Sequence, residues 1–303
     1  MVQTETARPF GIAGVSIIIA TAAWGLNFVI TKSATGGEPE QFRIFVYNII
    51  RFPLASSLLF LTARLKGEKL MPGRAIIRDL AMLSFVGIFM YQTLYMTGQS
   101  LTSSANIGII YSFTPLLIVI VSVLTGIERP SVGTVIGVLL GCVGLVLIVF
   151  RGGRLSVDIG SALFIVALVC WAVYAVFGKK VLERTTPVVT TAWMLLFGTL
   201  YQAPLALWQA GSQSWARLDP LNIVFVIMAA FFSLYLGYTL FYFAISRMGP
   251  SKAGVYTNLT PVFTLIFAVL IRGETIRPVQ ILGLLVIMAG IAITKLPSRR
   301  RKE

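Results

Sequence analysis

Histidine is absent from the 303 residues. Its absence removes the commonest general base and the commonest metal ligand together. Cysteine is almost absent. Cys142 and Cys170 both lie inside apolar runs, so neither a disulfide framework nor a thiolate metal site is expected, and both read as small buried fillers. Charge is also scarce. Only 12% of residues are charged, against about 25% in an average soluble domain. The 11 acidic residues all fall at the ends of apolar runs, in links or in tails, and no Walker-type glycine loop is present. These gaps argue against an enzyme and against a bound metal or cofactor.

What remains is apolar. Hydrophobic residues make up 57% of the chain and the mean hydropathy is +0.87. A helix needs about 20 apolar residues to cross the hydrocarbon core. Ten stretches qualify, at roughly 11–31, 42–62, 80–98, 106–125, 132–150, 159–177, 188–207, 221–246, 253–271 and 279–294. We number them spans 1 to 10. Short links such as 126–131 and 272–278 force neighbouring spans to be antiparallel. The strict alternation of a membrane barrel strand is missing. Span 1 reads as a retained helix rather than a cleaved leader, because Trp24, Asn27 and Phe28 follow where a small-residue cleavage site would lie.

The net charge of +14 would suggest nucleic acid on a soluble protein. Here the basic residues lie between spans, so they read as topology signals and no nucleic-acid partner is expected. Of the 25 Lys and Arg, 17 lie on the side of the termini and 7 on the other, with Arg51 inside span 2. That bias puts both termini in the cytoplasm, with Arg151 and Arg154 as the dissent; the membrane expected is a bacterial inner one.

The two halves resemble each other. Trp24 pairs with Trp171 at an offset of 147. An offset of 146 then pairs Thr114-Pro115 with Thr260-Pro261, Glu128 with Glu274, and Gly137 and Gly144 with Gly283 and Gly290. Repeats of five spans must enter the membrane from opposite sides, a design recurrent in secondary transporters. The fold class expected is therefore an all-α membrane protein of ten helices in two inverted repeats, residues 11–150 and 157–296.

The residues that carry this pattern resemble the EamA-type exporters of the drug/metabolite transporter superfamily over nearly the whole chain. They are Ala23-Trp24-Gly25, Arg51-Phe52, Ala105 with Thr114-Pro115, Gly126 to Pro130 running into a glycine-rich helix, and the second copy at Arg272-Gly273-Glu274. The resemblance implies a central cavity lined chiefly by spans 1, 3, 4, 6, 8 and 9, with spans 5 and 10 at the periphery. It also implies export of amino acids and other metabolites, or, as in distant relatives, exchange of nucleotide sugars or sugar phosphates. Those anionic substrates would call for several cavity cations, and only Arg51 and Lys252 offer themselves. A membrane-embedded enzyme is the third reading.

Polar side chains are costly in hydrocarbon and usually face protein or a cavity. Span 3 carries Tyr91, Gln92, Tyr95 and Gln99, and span 8 carries Tyr235, Tyr238, Tyr242 and Ser246, each set forming a stripe. Span 4 adds Tyr111, span 9 adds Tyr256 and Asn258, and spans 1 and 6 add Trp24 with Asn27 and Trp171 with Tyr174. Trp24, Asn27, Tyr91, Gln92, Tyr95, Gln99, Tyr111, Trp171, Tyr174, Tyr238, Tyr242, Tyr256 and Asn258 are the expected substrate-binding residues. They would form an uncharged, ring-lined hollow. The competing reading makes the rings interface anchors or packing groups.

Arg51 could meet a substrate carboxylate, but it is expected to snorkel to the interface or to bond backbone carbonyls as a structural tie. Glu128 and Glu274 are expected to cap the helix that follows each of them. Gly133, Gly137, Gly141 and Gly144 allow close packing within the chain, or a homodimer contact through spans 5 and 10. Pro115 and Pro261 are expected to kink spans 4 and 9. With no acid in mid-membrane, facilitated diffusion or exchange is expected rather than proton coupling, Asp79 and Asp158 being the nearest exceptions.

Overall fold

The structure, a computed structural model, describes residues 11–35, 38–102, 104–149, 158–272 and 277–294. The expectations for Arg8, Arg151, Arg154, Glu274 and the basic C-terminal tail concern residues outside that set. Among the described residues every regular element is helical. Hydrocarbon offers the backbone no hydrogen-bond partners, so a buried apolar run must satisfy its own N–H and C=O groups, and a helix does so within one segment.

The order is α1 (Ile12–Ala34), α2 (Ile44–Leu65), α3 (Arg74–Ser84), a π-helical stretch (Phe85–Met90), α4 (Tyr91–Leu101), α5 (Ser104–Ser112), α6 (Thr114–Leu124) and α7 (Val132–Val149). There follow α8 (Ile159–Leu182), α9 (Pro187–Ala210), α10 (Pro220–Ala229), a second π-helical stretch (Ala230–Tyr238), α11 (Thr239–Met248), α12 (Pro250–Thr257), α13 (Leu259–Arg272) and α14 (Pro278–Ile293). Several starts carry recognisable signals. Asp158 and Thr186 accept the backbone N–H groups of Ser161 (2.7 Å) and Val189 (3.3 Å). Pro187, Pro220, Pro250 and Pro278 occupy first turns, where the missing N–H costs nothing.

Seven helices are long and apolar enough to cross a membrane, and three shorter apolar helices accompany them, Thr114–Leu124, Val132–Ile148 and Pro278–Ile293. Span 4 falls short because the chain turns at Phe113, so that Pro115 starts α6 instead of kinking a continuous helix. Pro261 behaves alike, with a turn at Asn258 between α12 and α13. The outer surface is aliphatic, with Leu61, Leu124, Val143, Leu200, Leu270 and Leu285 exposed. A surface of this kind suits lipid and not water.

The glycines of α7 are occupied within the chain. A Cβ on Gly137 would lie 2.6 Å from the Gly290 carbonyl oxygen, and one on Gly144 would lie 2.6 Å from that of Gly283. Ascending numbers on α7 thus meet descending numbers on α14, and the two helices run antiparallel. Only their outer faces, with Ile136, Leu139 and Val143 on one and Ile281, Leu282 and Leu285 on the other, stay exposed.

Glu128 departs from expectation. Its carboxylate accepts the N–H of Ser251 at 2.9 Å, so it caps α12, in the other half of the chain, and not the α7 that follows it. The positive φ of Gly249 (83°) turns the chain there and presents the first N–H groups of α12 to the carboxylate. Asp79 pairs with Arg184, and Asp158 caps α8 while accepting the Thr102 hydroxyl at 2.8 Å. Both acids therefore have structural partners at helix ends.

Candidate functional site

One end of the bundle is open. A cavity of about 450 Å³ is lined by α1, the start of α2, α4, Tyr111 of α5, Trp171 of α8, Gln209 of α9, and Ser233 and Tyr238 of the second π-helical stretch. Its mouth lies where α1 ends and α2 begins, among Thr35, Phe42, Arg43, Gln99, Ser100 and Gln209. The rim is stitched by side-chain amides. Gln209 Oε1 accepts the N–H of Phe45 and Gln213 Oε1 that of Arg43, each at 2.8 Å. Asn222 Nδ2 donates to the Glu40 carbonyl at 2.7 Å, which places the start of α10 at the same end. The Glu128–Ser251 contact lies beyond the far end of α11, at the opposite end.

The floor is aromatic. Trp24 meets Trp171 (5.7 Å between ring centroids), Tyr238 (5.9 Å) and Phe241 (5.3 Å), all edge-on. Edge-to-face contacts set the positive rim of one ring on the negative face of another. Trp171 stacks on Phe241 and Tyr174 at 5.3 and 5.2 Å. Above the floor, Tyr91 packs on Trp171 (5.0 Å) and on Tyr95 (5.4 Å), while Phe28 faces Tyr111 at 6.2 Å.

The π-helical stretches position this floor. Such insertions lengthen one turn and are frequent at functional sites. Ser233, inside the second stretch, accepts the Trp24 Nε1–H at 3.1 Å. Gly237 makes room for the indole, since a Cβ there would stand 2.5 Å from Trp24 Nε1. Gly87, in the first stretch, faces the Tyr174 ring in the same manner.

Two pairs of repeat-equivalent residues meet at the centre. One is Trp24 with Trp171. The other is Gln92 with Tyr238, whose Nε2 and hydroxyl lie 3.5 Å apart. Asn27 Oδ1, by contrast, is buried with no hydrogen-bond partner, although its residue lines the cavity.

Nine of the thirteen expected residues line the cavity: Trp24, Asn27, Tyr91, Gln92, Tyr95, Gln99, Tyr111, Trp171 and Tyr238. Four do not. Tyr174 and Tyr242 form a layer beneath the floor, with the Tyr242 hydroxyl donating to the Tyr174 carbonyl at 3.3 Å. Tyr256 and Asn258 are buried on α12 and at its C-terminal turn, and Asn258 lies against Gly141 of α7. Span 9 is therefore not part of this wall, whereas span 2, which was not among the expected main liners, is. It supplies Phe42, Ile44 and Arg51 beside the mouth residue Arg43. The signal for Arg51 was present in the sequence, as the one basic residue deep in a span. Phe28, Thr31 and Thr35 continue the Trp24–Asn27 face of α1 at helical spacing.

Comparison with known proteins agrees with this architecture. The model of the EamA-like transporter family matches residues 11–150 and 158–296. The uncharacterized transporter YetK of Bacillus subtilis is 26% identical over 295 residues, covering 95% of this chain and 88% of that protein. The threonine/homoserine exporter RhtA of Salmonella typhimurium is 28% identical over 171 residues, covering 55% of this chain and 56% of that protein. A crystal structure at 19% identity superposes with a TM-score of 0.79 over 96% of this chain and 99% of its own, a likeness of fold. With two matches that together span most of its length and an apolar helical body that houses a ring-lined cavity, this chain is an integral membrane protein belonging to the EamA-like transporter family of the drug/metabolite transporter superfamily.

Proposed function

We propose that the protein exports small amphipathic metabolites, amino acids foremost, by alternating access through the aromatic cavity. In this reading ten spans form two inverted repeats, residues 11–150 and 157–296. The termini are cytoplasmic in a bacterial inner membrane, and the cavity is drawn open to the outside.

The observation that carries the reading is the meeting of repeat-equivalent residues at the floor of a one-ended cavity. Side chains on a twofold axis touch their own counterparts, and Trp24 with Trp171 and Gln92 with Tyr238 do so. The antiparallel glycine contact of α7 with α14 supports an axis in the membrane plane. Two similar halves in opposite senses give two states of comparable energy, open to opposite faces. The export of threonine and homoserine by RhtA favours amino acids as cargo. Among the described residues the lining carries no carboxylate, which supports exchange or facilitated diffusion over proton coupling. Liposomes holding the purified protein and unlabelled L-threonine or L-leucine should accumulate the labelled amino acid by counterflow. An imposed proton gradient alone should drive no uphill uptake. Absence of counterflow with both compounds would remove amino acids as the cargo.

The Glu128–Ser251 cap then acts as the inner latch. Losing a helix cap costs about 1 kcal/mol, or roughly a fivefold shift between two states. With Cys142 and Cys170 replaced by alanine, a cysteine in place of Thr257 (2% exposed) should react with a water-soluble maleimide about fivefold faster when Glu128→Ala is added. Equal rates would deny the latch its role.

A further inference from the structure

The cavity wall is not neutral. Arg43 and Arg51 line it, and among the described residues no Asp or Glu does. Arg43 is exposed at the mouth, where its Nε donates to the Ser212 carbonyl at 3.0 Å. Arg51 lies about 10 Å further in, seven residues past the start of α2 at 1.5 Å each.

Arg51 fits neither bland role. A snorkelling arginine keeps its head in water, but this one is 2% exposed. A structural tie would cross to another helix, yet its partners are on α2 itself: its Nε donates to Asn48 Oδ1 (2.9 Å), one turn away, and it bonds the Tyr47 side chain. Its guanidinium lies over the rings of Tyr47 (4.9 Å) and Phe52 (5.5 Å), also of α2. Among the described residues it has no carboxylate partner, and the ionisable groups around it are the phenols of Tyr47, Tyr91 and Tyr238. Asn48 is fully buried and spends its own amide on Met96 Sδ at 3.7 Å, which holds the guanidinium in place.

A desolvated cation with no counter-charge is expensive in a membrane interior and marks a site that receives an anion for part of its cycle. The guanidinium presents parallel N–H donors that match a carboxylate in a bidentate fork. A phosphate dianion would call for a second free cation at this depth, and among the described residues the wall has none. We propose that Arg51 is the carboxylate-binding point of the cavity. The carried compounds are then amino acids and other small molecules bearing a free carboxylate, and their carboxamides are rejected. The ammonium end of an amino acid has Asn27 Oδ1, which lacks a partner, and the Trp24, Trp171 and Tyr91 rings to meet.

This inference rests on the transport reading, and the test separates the two. Counterflow in liposomes is measured for L-threonine, L-leucine, threoninamide, leucinamide and glucose 6-phosphate. The acids should exchange at least tenfold faster than their amides, and the sugar phosphate should not exchange. Arg51→Gln should lose at least 30-fold for the acids and no longer distinguish acid from amide, while Arg51→Lys retains part of the preference. If amides exchange as well as acids on the unaltered protein, transport stands and the carboxylate site falls. The same follows if Arg51→Gln keeps the preference, or if glucose 6-phosphate is carried in place of the acids. If no compound exchanges, both readings fall. Should Arg51→Gln fail to fold, the acid–amide ratio on the unaltered protein and the lysine variant still decide.

Discussion

Trp24→Ala reduces counterflow of L-threonine or L-leucine at least 100-fold, while the protein still inserts and elutes as a single species in detergent. The indole is the centre of the floor, in edge contact with Trp171, Tyr238 and Phe241. It also spans the two halves through its bond to the Ser233 carbonyl. Truncating a buried tryptophan costs about 3–5 kcal/mol in a packed core. Here much of that loss falls on the cavity, because Gly237 leaves no side chain to refill the space. A 100-fold loss corresponds to about 2.7 kcal/mol of transition-state stabilisation. Trp24→Phe keeps a ring against Trp171 but loses the hydrogen bond, which is worth about 0.5–1.5 kcal/mol. It should fall roughly tenfold. If Trp24→Ala transports within threefold of the unaltered protein, the floor does not contact substrate.

The largest effect on stability is expected at the α7–α14 seam. A Cβ on Gly144 meets the Gly283 carbonyl oxygen at 2.6 Å and the Ile287 backbone N at 3.0 Å. Backbone cannot step aside as a flexible side chain can, so Gly144→Val must part the helices. Overpacking of this kind costs about 1–3 kcal/mol. At the upper end, that lowers a detergent melting temperature by on the order of 6–10 °C. Gly73→Ala, where an added Cβ meets nothing within 4 Å, is the control and should shift it by less than about 2 °C. Equal melting of the two variants would mean that the seam is looser than drawn. Close glycine contact matters more in lipid than in water, because helices there gain nothing by hiding apolar surface and associate through packing.

Both expectations depend on residues whose importance was unequally visible in the linear chain. The stretches that form the apolar helices were legible because burial in hydrocarbon needs only length and composition, and neither depends on neighbours. The pairing of Trp24 with Trp171 and of Gln92 with Tyr238 was legible as a numerical offset. That these pairs touch was not, since contact requires the two copies to fold onto one another. The turn at Phe113 shortened span 4 because Pro115 restarts a helix there, whereas the turn at Asn258 interrupts span 9 without shortening it, Pro250–Ile271 remaining long enough to cross. The π-helical stretches at Phe85–Met90 and Ala230–Tyr238 left no mark in the residue pattern.

Rotation about each helix axis is where reading from sequence failed. Tyr242 continues the stripe of Tyr238, and Tyr256 and Asn258 are as polar as the residues that line the cavity. Yet Tyr242 packs beneath the floor and Asn258 against Gly141. Which face of a helix looks inward is set by what the opposing helix presents, and a single stripe does not specify its depth. Glu128 shows the same limit. Its need for free N–H groups follows from its charge, but its donor, Ser251, was chosen by the packing of the other half.

Local chemistry thus determined this protein's medium, its helical runs, its internal doubling and its lack of buried acid, because each follows from residue type counted along the chain. The assembled bundle alone decided which rings form the floor, that span 2 turns Arg51 toward the cavity, and which end stands open. Those properties belong to distances between segments far apart in the chain, such as Trp24 and Ser233, 209 residues apart, and only the packed helices set such distances.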